Sequence, residues 1–405
     1  MRILYIIPSL QHPQVRGANR HYHFVKELSK RHQITLLSLV RSKVKPEALE
    51  EMRSLTENLL TFNVNGESDS SLAAGLGKVP VIGNYVAKSI KMRAGVREMR
   101  QAFLELVRKE SFDIVLFHGK SVFPVIADWS GLPIVTDFCD ATSLRIRTSM
   151  RYNNLLKRPF YYWKLRRMAQ LEKKLIEKSS TVAFISNRDR EAILGPDDRS
   201  EILPLGVDHE FWSRSRKGCD KNCIVFTGVM DYAPNHDAAI CLIENILPKL
   251  RRQLSDFKIM IVGRDPKPEL LARAKQHPEI VVTGFVEDVR PYLEQATVFA
   301  APVRFASGTQ NKVLEAMAME VPVVATRVVS DGLYIDEYGA PPLLLADDDQ
   351  QFADAIAKLL GEANERNRLA REGQTFVKSY FNWTSSAARL ERMCERALSE
   401  RQAFK

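Results

Sequence analysis

Short apolar runs alternate along the whole chain with longer segments in which apolar residues recur every three or four positions. The runs have the length of strands covered on both faces, and the longer segments have the periodicity of amphipathic helices. This alternation predicts an α/β fold of βαβ units with doubly wound parallel sheets. Helices are predicted near residues 20–30 and 94–109, and strands near residues 3–7, 34–39, 59–64, 114–117, 134–137, 182–185, 223–228, 258–262, 280–283, 298–301, 322–325 and 343–345.

The pattern restarts after a polar interruption, which predicts two domains. With 405 residues, the chain exceeds what one hydrophobic core usually organises. We place the linker within residues 203–220, so that residues 1–207 form an N-terminal domain and residues 208–382 a C-terminal domain. A long helix is predicted over residues 383–405, and the Gly- and Ser-rich segment 66–84 is predicted to be a mobile loop.

The segment 298–319 predicts a buried strand, a turn of small residues and a helix, and a second buried strand follows it. Ser307-Gly308-Thr309 supplies the turn and a helix N-cap. Free N–H groups at such a helix start, together with the helix dipole, favour a phosphate. Lys312 and Glu315 lie one turn apart on this helix, and Arg304 adds a cation before it. The segment therefore predicts an anion-binding site; the alternative is an ordinary crossover helix with a surface Lys–Glu pair.

Composition narrows the class of protein without selecting a function. Hydrophobic residues make up 45% and charged residues 27% of the chain, as in globular proteins. No apolar run is long enough for a transmembrane helix, and the apolar N-terminus lacks a small-residue cleavage site, so a first strand is expected there rather than a signal peptide. The net charge of +10 is compatible with anionic membranes, nucleic acid or phosphate-bearing substrates.

The cysteines argue against a zinc site. They are odd in number and scattered: Cys139, Cys219, Cys223, Cys241 and Cys394. Only Cys219 and Cys223 are close, and no second pair follows at zinc-binding spacing. We expect reduced thiols in a cytoplasmic protein.

Four segments together resemble the family 4 glycosyltransferases, a large retaining group with the GT-B fold. They are the opening strand with Gly17-Ala18 and its helix, residues 112–118, residues 203–208, and residues 308–318 with 322–326. The last is the most specific, and the resemblance covers nearly the whole chain. Within this group, residues 226–235, 302–304 and 310–316 are similar to exopolysaccharide-associated sugar transferases.

The resemblance implies two Rossmann-like domains facing each other across a cleft, with the final helix crossing back to the first domain. The C-terminal domain is expected to hold a nucleotide-diphosphate sugar, and the N-terminal domain to shape the acceptor side. No metal or other cofactor is expected, because backbone amides and basic side chains neutralise the leaving diphosphate in this family. The implied activity is transfer of a hexose-type sugar, with retention, to a glycan or lipid-linked acceptor.

Carried onto this sequence, the resemblance assigns Glu315 to the ribose hydroxyls, and Lys312 and Arg304 to the diphosphate. His118 is expected at the sugar end of the cleft, where it helps to orient the hexose or the acceptor. Backbone groups are also expected to contact the donor, namely those of Gly17, Gly308, Thr309, Gln310 and Val286. Of these, Gly17 is placed beside the diphosphate or sugar and Val286 beside the base.

The sequence departs from the family pattern at two places. The common pattern has a second Glu eight residues before the ribose Glu, where it contacts the transferred sugar, and here that position is Ser307. The loop after the first strand of the second domain usually carries an Arg and a Lys for phosphate, and residues 230–235 offer neither. Arg304 and Lys312 are therefore expected to be the side-chain phosphate cations of this domain.

Two polar residues at the ends of N-terminal strands are candidates for the acceptor side. His118 follows the fourth predicted strand and Asp140 the fifth, and ligands of open α/β sheets bind at this carboxyl edge. A lone His at a strand end is often only a structural hydrogen-bonding group, and Asp140 is equally suited to capping a helix. Both alternatives stay open for each residue.

Residues 151–178 combine many cations with aromatic residues. Such a helix suits an anionic membrane surface, and contact there would imply a lipid-linked acceptor and a peripheral position on the inner face of the cytoplasmic membrane. The alternative is a crossover helix that packs an apolar stripe on the sheet. The residues of that stripe are Tyr161, Leu165, Met168 and Leu175.

The leading hypothesis is a cytoplasmic bacterial glycosyltransferase that makes a surface or exported polysaccharide. A catalytically silent nucleotide-binding subunit is an alternative, supported by Ser307 but not by the retained Lys312 and Glu315. A GT-B epimerase is disfavoured by the match over residues 310–316. A DNA-modifying glucosyltransferase is compatible with the net charge, but no aromatic-interleaved motif for reading bases is present, so nucleic acid is not the expected partner.

Overall fold

A computed structural model of the chain describes residues 1–13, 19–40, 44–64, 82–152, 156, 158–195, 200–215 and 222–403. Within these residues the chain forms two parallel sheets, each flanked by helices. Gly17, Cys219 and most of the segment predicted as a mobile loop lie outside the described residues. The predicted α/β class with two Rossmann-like domains is confirmed.

The first sheet has the strand order β3-β2-β1-β4-β5-β6-β7, with every neighbouring pair parallel. Its strands are β1 (Arg2–Ile7), β2 (Gln33–Val40), β3 (Asn58–Asn63), β4 (Ile114–His118), β5 (Ile134–Cys139), β6 (Thr181–Phe184) and β7 (Ser200–Ile202). The sheet reverses its order between β1 and β4, which creates a crevice at the carboxyl ends of these strands.

The second sheet has the order β10-β9-β8-β11-β12-β13 and is also parallel. Its strands are β8 (Cys223–Thr227), β9 (Lys258–Val262), β10 (Ile280–Val282), β11 (Val298–Ala301), β12 (Val323–Ala325) and β13 (Leu344–Leu345). Here the order reverses between β8 and β11.

Helices cover both sheets. In the first half they are α1 (Arg20–Leu28), α2 (Pro46–Ser54), α3 (Ile82–Lys109), α4 (Thr142–Ser149), α5 (Arg158–Lys178) and α6 (Asn187–Ile193). In the second half they are α7 (Ala233–Cys241), α8 (Leu247–Leu250), α9 (Pro268–Ala274), α10 (Arg290–Gln295), α11 (Asn311–Ala318), α12 (Arg327–Leu333), α13 (Asp349–Gly361), α14 (Ala363–Tyr380) and α15 (Trp383–Ala403). Short 3₁₀ turns span Lys120–Val125 and Met150–Tyr152, and a π turn at Leu242–Ile246 joins α7 to α8.

Alternate residues of β1 pack on opposite sides of the first sheet. Ile3 and Tyr5 belong to one buried cluster, whereas Leu4 and Ile6 belong to another. Successive side chains of a strand point to opposite faces, so both faces of this sheet are covered. The continuous apolar runs in the sequence have this cause.

The last helix, α15, returns to the first sheet. Its Leu390 and Met393 belong to the same buried cluster as Phe24 of α1. At its start, Trp383 stacks on His23 with ring centroids 4.4 Å apart. A Cβ atom at Gly206 would lie 2.4 Å from the Trp383 ring, so only glycine allows the connection to pass there. We call residues 1–202 with α15 the N-lobe and residues 222–382 the C-lobe.

The structure differs from the sequence predictions in two elements of the N-lobe. Strand β7 was not predicted, because three residues at a sheet edge are too few to show a period. Helix α3 begins at Ile82, well before the predicted start near residue 94. The glycines and serines that favoured a loop lie mainly before this point, and the predicted loop 66–84 therefore extends too far.

Helix α5 packs on the N-lobe only near its C-terminal end. Of the stripe predicted to face the sheet, Leu175 is buried, but Tyr161, Leu165 and Met168 are only half-buried. None of the residues 158–170 is buried. The crossover interpretation thus holds for the last turns, and the first turns form an open surface. Among the described helices, none combines the length and apolar character needed to span a bilayer.

Candidate active site

The predicted anion site is built by β11, the turn after it and α11. Strand β11 is fully buried, and the turn that follows it lies at the cleft between the lobes. Gly308 in the turn has φ +68°, a conformation that favours glycine. The N-cap of α11 is Gln310 rather than a residue of the predicted Ser307-Gly308-Thr309 cap, and its side chain makes no capping hydrogen bond. Because the side chain of Gln310 does not cap this helix, its first N–H groups suit an anion.

Lys312 points back along the turn instead of towards Glu315. Its Nζ contacts Asn235 Oδ1 at 2.5 Å and Gln310 Oε1 at 3.2 Å, and lies 5.4 Å from the centre of the Phe226 ring. Burial lowers the pKa of Lys312 to about 8, although the charge of Glu315 opposes this shift. The ammonium group is therefore held by neutral partners, and an anion at the helix start would be its counter-ion.

Glu315 faces a cavity of about 330 Å³ between the lobes. Burial raises the pKa of this carboxyl to about 7, and the attraction of Lys312 only partly offsets the rise. The cavity lies against the segment that joins the lobes and against α15, with walls that include Val207, Asp208, Trp212 and Trp383. A carboxylate in such a cavity accepts hydrogen bonds from hydroxyl groups, as the predicted ribose contact requires.

Arg304 is neutralised within the C-lobe. Its Nε donates to Asp237 Oδ2 at 2.8 Å, its Nη2 donates to the other oxygen, and its guanidinium lies 4.8 Å from the centre of the Tyr152 ring. The hydrogen bonds with Asp237 raise the pKa of Arg304. This pairing has no local signal in the sequence, because the partner carboxylate lies 67 residues away. The contact of Arg304 with a diphosphate stays a prediction.

The turn before α11 is held by the N-lobe, a feature that the sequence did not indicate. The N–H of Gly308 donates to both carboxylate oxygens of Asp189, at 3.1 and 3.0 Å, and its carbonyl accepts from Arg188 at 3.2 Å. Asp189 also accepts from the N–H of Ala141. The predicted contact of the Gly308 amide with a diphosphate therefore requires this cross-lobe contact to open, and it stays a prediction.

The remaining backbone candidates lie in two places. Thr309 is buried, and its hydroxyl donates to the carbonyl of Gly332 at 2.8 Å. Gln310 is also buried and begins α11. Val286 lies apart from them in the loop after β10, half-buried against the core of the C-lobe.

On the N-lobe side, His118 ends β4 at the carboxyl edge of the sheet. Its Nδ1 lies 2.8 Å from the carbonyl of Asp137, which can only accept, so Nδ1 carries the proton. Burial lowers the pKa of His118, so the ring is neutral and Nε2 is an acceptor. Nδ1 of His118 thus has a structural hydrogen-bond partner, and a contact of Nε2 with a sugar hydroxyl stays a prediction.

A buried ion pair between Arg20 and Asp137 lies next to His118. Arg20 donates to Asp137 at 2.6 and 3.3 Å and to the carbonyls of Leu203 and Pro204. His21 also lies close to this pair, and its ring centroid is 4.0 Å from that of His118. The three groups His21, His118 and Asp137 have metal-ligating atoms within 4.8 Å of one another. The guanidinium of Arg20 already neutralises the carboxylate, so this set fits an ion pair better than a divalent cation.

Asp140 lies directly opposite Ser307. The Ser307 hydroxyl donates to Asp140 Oδ2 at 2.5 Å, which brings two predicted residues from different lobes together. Lys120 donates to the Asp140 carbonyl at 2.6 Å. Burial alone would raise the pKa of Asp140, but the charges of Lys120 and Arg145 and the Ser307 hydrogen bond bring it below its usual value. Asp140 therefore carries its negative charge at the cleft rather than capping α4.

A second cavity, of about 510 Å³, lies between the lobes on the other side of this turn. Arg145, Lys164 and Lys267 line it together with Tyr152 and Phe305. Arg145 reaches across the cleft and donates to the Tyr232 hydroxyl at 2.9 Å. The N-lobe thus adds the cations Arg145 and Lys164 to this cavity. Their position has no signal in the sequence, since it depends on the packing of two lobes.

Comparison with known proteins agrees with this architecture. The model of the family described as glycosyl transferases group 1 matches residues 221–362. The phosphatidyl-myo-inositol mannosyltransferase of Mycobacterium leprae (strain TN) is 30% identical over 301 residues, which cover 70% of this chain and 73% of that protein. The GDP-mannose-dependent alpha-(1-6)-phosphatidylinositol monomannoside mannosyltransferase of Mycolicibacterium smegmatis is 26% identical over 56% of this chain. The chain spans 64% of the length of that relative and 60% of its Mycobacterium tuberculosis counterparts.

Solved structures share the fold over nearly the whole chain. Anabaena Alr3699/HepE, solved in complex with UDP and glucose, has a TM-score of 0.65 at 13% identity, covering 98% of this chain and 99% of that one. Sucrose-phosphate synthase of Thermosynechococcus elongatus has a TM-score of 0.67 at 13% identity with the same coverage.

Proposed function

Because the chain belongs to the group 1 glycosyl transferases, we propose that it transfers a hexose-type sugar from a nucleotide-diphosphate sugar to a glycan or lipid-linked acceptor. The observation that carries this proposal is the start of α11, which its N-cap side chain does not cap and where the ammonium of Lys312 contacts the neutral side chains of Asn235 and Gln310. Glu315 faces the adjoining cavity, as a ribose contact requires. A mycobacterial relative is GDP-mannose-dependent and a structural neighbour binds UDP, so GDP and UDP are candidate nucleotides of the donor for this chain.

The chemistry asks the site to stabilise two charges, an oxocarbenium-like sugar and a departing diphosphate. The N-terminus of α11 and Lys312 address the diphosphate, and each charge-assisted contact contributes about 1.5–3 kcal/mol. In the N-lobe, Nδ1 of His118 carries the proton, so Nε2 can accept a hydrogen bond from a hydroxyl of the donor sugar or of the acceptor substrate. For transfer with retention, the acceptor oxygen bonds to the anomeric carbon on the face from which the diphosphate leaves, the bond between that carbon and the phosphate oxygen breaks, and this oxygen takes the acceptor proton. We expect no metal to be required for these steps.

We place this activity in bacterial exopolysaccharide or surface polysaccharide synthesis, on the cytoplasmic side of the membrane. The similarity of residues 226–235, 302–304 and 310–316 to exopolysaccharide-associated sugar transferases supports this role.

The first turns of α5 form a cationic and aromatic surface beside the larger cavity. Phe160, Tyr162 and Trp163 are 57%, 57% and 52% exposed, and the neighbouring cations are Arg158, Lys164, Arg166 and Arg167. Tyr161 and Lys164 also line the cavity of about 510 Å³. Exposed aromatic rings among cations suit the headgroup region of an anionic bilayer. The proposed partner of this surface is an anionic membrane that carries the acceptor.

Removing four charges from α5 tests the membrane proposal. Each Lys or Arg near an anionic surface contributes about 1 kcal/mol, so replacing Arg158, Lys164, Arg166 and Arg167 with Gln should weaken vesicle binding by at least about 100-fold. Vesicles of phosphatidylcholine with and without phosphatidylglycerol serve as the probe in flotation. The matched control removes four exposed C-lobe cations, Arg252, Lys275, Arg371 and Lys378. Equal binding by both variants, with unfolding temperatures unchanged, would contradict membrane contact.

Turnover separates the transferase from a silent nucleotide-binding subunit. GDP-mannose, UDP-glucose and other nucleotide sugars are incubated with the full chain, and release of the nucleoside diphosphate is followed with and without acceptor lipids from bacterial membranes. The transferase proposal expects release that depends on one donor and is stimulated by acceptor. Tight nucleotide binding with no release from any donor would favour the silent subunit.

A further inference from the structure

Asp140 is directed into the cleft by an irregularity at the end of β5. The register between β5 and β6 shifts between Asp137 and Cys139, and Cys139 has φ +60°, which is uncommon for a residue with a side chain. Bulges of this kind re-aim the following side chain and occur near functional sites. As a result, Asp140 lies at the lobe interface with 32% of its side chain exposed.

The contacts of Asp140 leave part of its carboxylate open to a ligand. Ser307 donates to Oδ2, and Lys120 Nζ lies 3.9 Å from Oδ1. Among the described residues, Ser307 is the side chain that donates a hydrogen bond to this carboxylate. A carboxylate has about four lone-pair positions, so a polyhydroxylated ligand can be accepted beside Ser307. Lys120 supplies compensating charge without occupying both oxygens.

Ser307 connects this carboxylate to the donor site. It precedes Gly308 in the turn that leads to α11, where the diphosphate of the donor is placed under the proposed function. Under that function, a sugar attached to the diphosphate would lie beside the turn that contains Ser307. No acidic side chain is present at position 307 itself, and the carboxylate reaches the turn from the opposite lobe.

We propose that Asp140, positioned by Ser307, accepts hydrogen bonds from the hydroxyl groups of the transferred sugar. This inference rests on the proposed function and adds the residue that recognises the sugar. Because the carboxylate belongs to the N-lobe and the diphosphate site to the C-lobe, sugar recognition depends on the contact between lobes. A nucleoside diphosphate without sugar makes no use of Asp140.

Paired affinities test the inference. Asp140→Asn is compared with the unchanged chain for GDP against GDP-mannose and for UDP against UDP-glucose, by isothermal titration. Loss of a charge-assisted hydrogen bond should weaken binding of the accepted nucleotide sugar by about 10- to 100-fold. Binding of the corresponding nucleoside diphosphate should change less than about twofold. Asp128→Asn, an exposed carboxylate paired with Arg100, serves as the matched control.

A second test moves the carboxylate from Asp140 to position 307, on the other side of the contact between the lobes. In the double variant Asp140→Ser with Ser307→Glu, the acidic group moves to the C-lobe, and affinity for the nucleotide sugar should recover relative to Asp140→Ser alone. Equal weakening of nucleotide and nucleotide sugar in Asp140→Asn would show a structural latch and overturn the inference, as would unchanged affinity for both. If the unchanged chain binds no nucleotide or nucleotide sugar, the proposed function itself fails.

Discussion

Replacing Lys312 with Met is expected to slow glycosyl transfer by about 100- to 1,000-fold, the usual effect of removing one preorganised group that stabilises a departing anion. In the structure, its ammonium is held by Asn235 and Gln310 beside the Phe226 ring. Since these hydrogen-bonding partners are neutral, they leave the charge of Lys312 available to a diphosphate, although the carboxylate of Glu315 also attracts it. The loss should appear mainly in kcat, because negative charge on the leaving oxygen grows as the bond to the sugar breaks.

The control for Lys312→Met is a second variant that loses a Lys far from the proposed site. Lys275→Met removes an exposed cation of the same lobe and should leave turnover unchanged. The rates are measured as release of the nucleoside diphosphate at saturating donor. A Lys312→Met protein with normal kcat would show that the ammonium does not contact the leaving group. Arg304→Met is expected to have a smaller effect, because Asp237 already neutralises Arg304.

Nucleoside diphosphate affinity is expected to peak between about pH 7 and pH 8. Burial raises the pKa of Glu315 to about 7, and the carboxyl must be ionised to accept from both ribose hydroxyls, so affinity falls as the pH drops below that value. Burial lowers the pKa of Lys312 to about 8, so the ammonium loses its charge and affinity falls above that value. Titration of GDP or UDP across this range measures both limbs.

Glu315→Gln separates the two limbs of that pH profile. The amide cannot titrate, so the decline on the acidic side should disappear, while the decline on the alkaline side remains. At the optimum, affinity should fall by about 10- to 100-fold with the loss of a charge-assisted hydrogen bond. An acidic limb that persists unchanged in Glu315→Gln would assign that titration to another group and remove Glu315 from the ribose contact.

The fold could be predicted from the sequence because parallel sheets covered on both faces impose continuous apolar runs. The strands β9 and β11 have their predicted bounds, and the return of the last helix to the N-lobe follows the predicted GT-B architecture. The positions of Lys312 and Glu315 on one helix also follow from local spacing. The direction in which the Lys312 side chain points does not follow from local spacing, because its partner Asn235 lies 77 residues away in the sequence.

The contacts between the lobes could not be predicted, because their partners are far apart in the sequence and produce no periodic pattern along it. Asp189 and Gly308 are separated by 119 residues, and Asp140 and Ser307 by 167. The only local signal near Asp189 is its spacing from Ser186, which accounts for the start of α6. Such a signal explains a helix cap and cannot indicate that the same carboxylate also holds the turn of the opposite lobe.

The central claim, a nucleotide-diphosphate site at α11, is tested most directly by thermal unfolding of the chain with UDP, GDP, ADP, CMP and dTDP. A ligand at about 100 times its Kd adds about 2.7 kcal/mol to the free energy of unfolding. The account predicts a rise in Tm with one nucleoside diphosphate and a rise of about half or less in Glu315→Ala at the same ligand concentration. No rise with any of the five, or an equal rise in Glu315→Ala, would contradict the site.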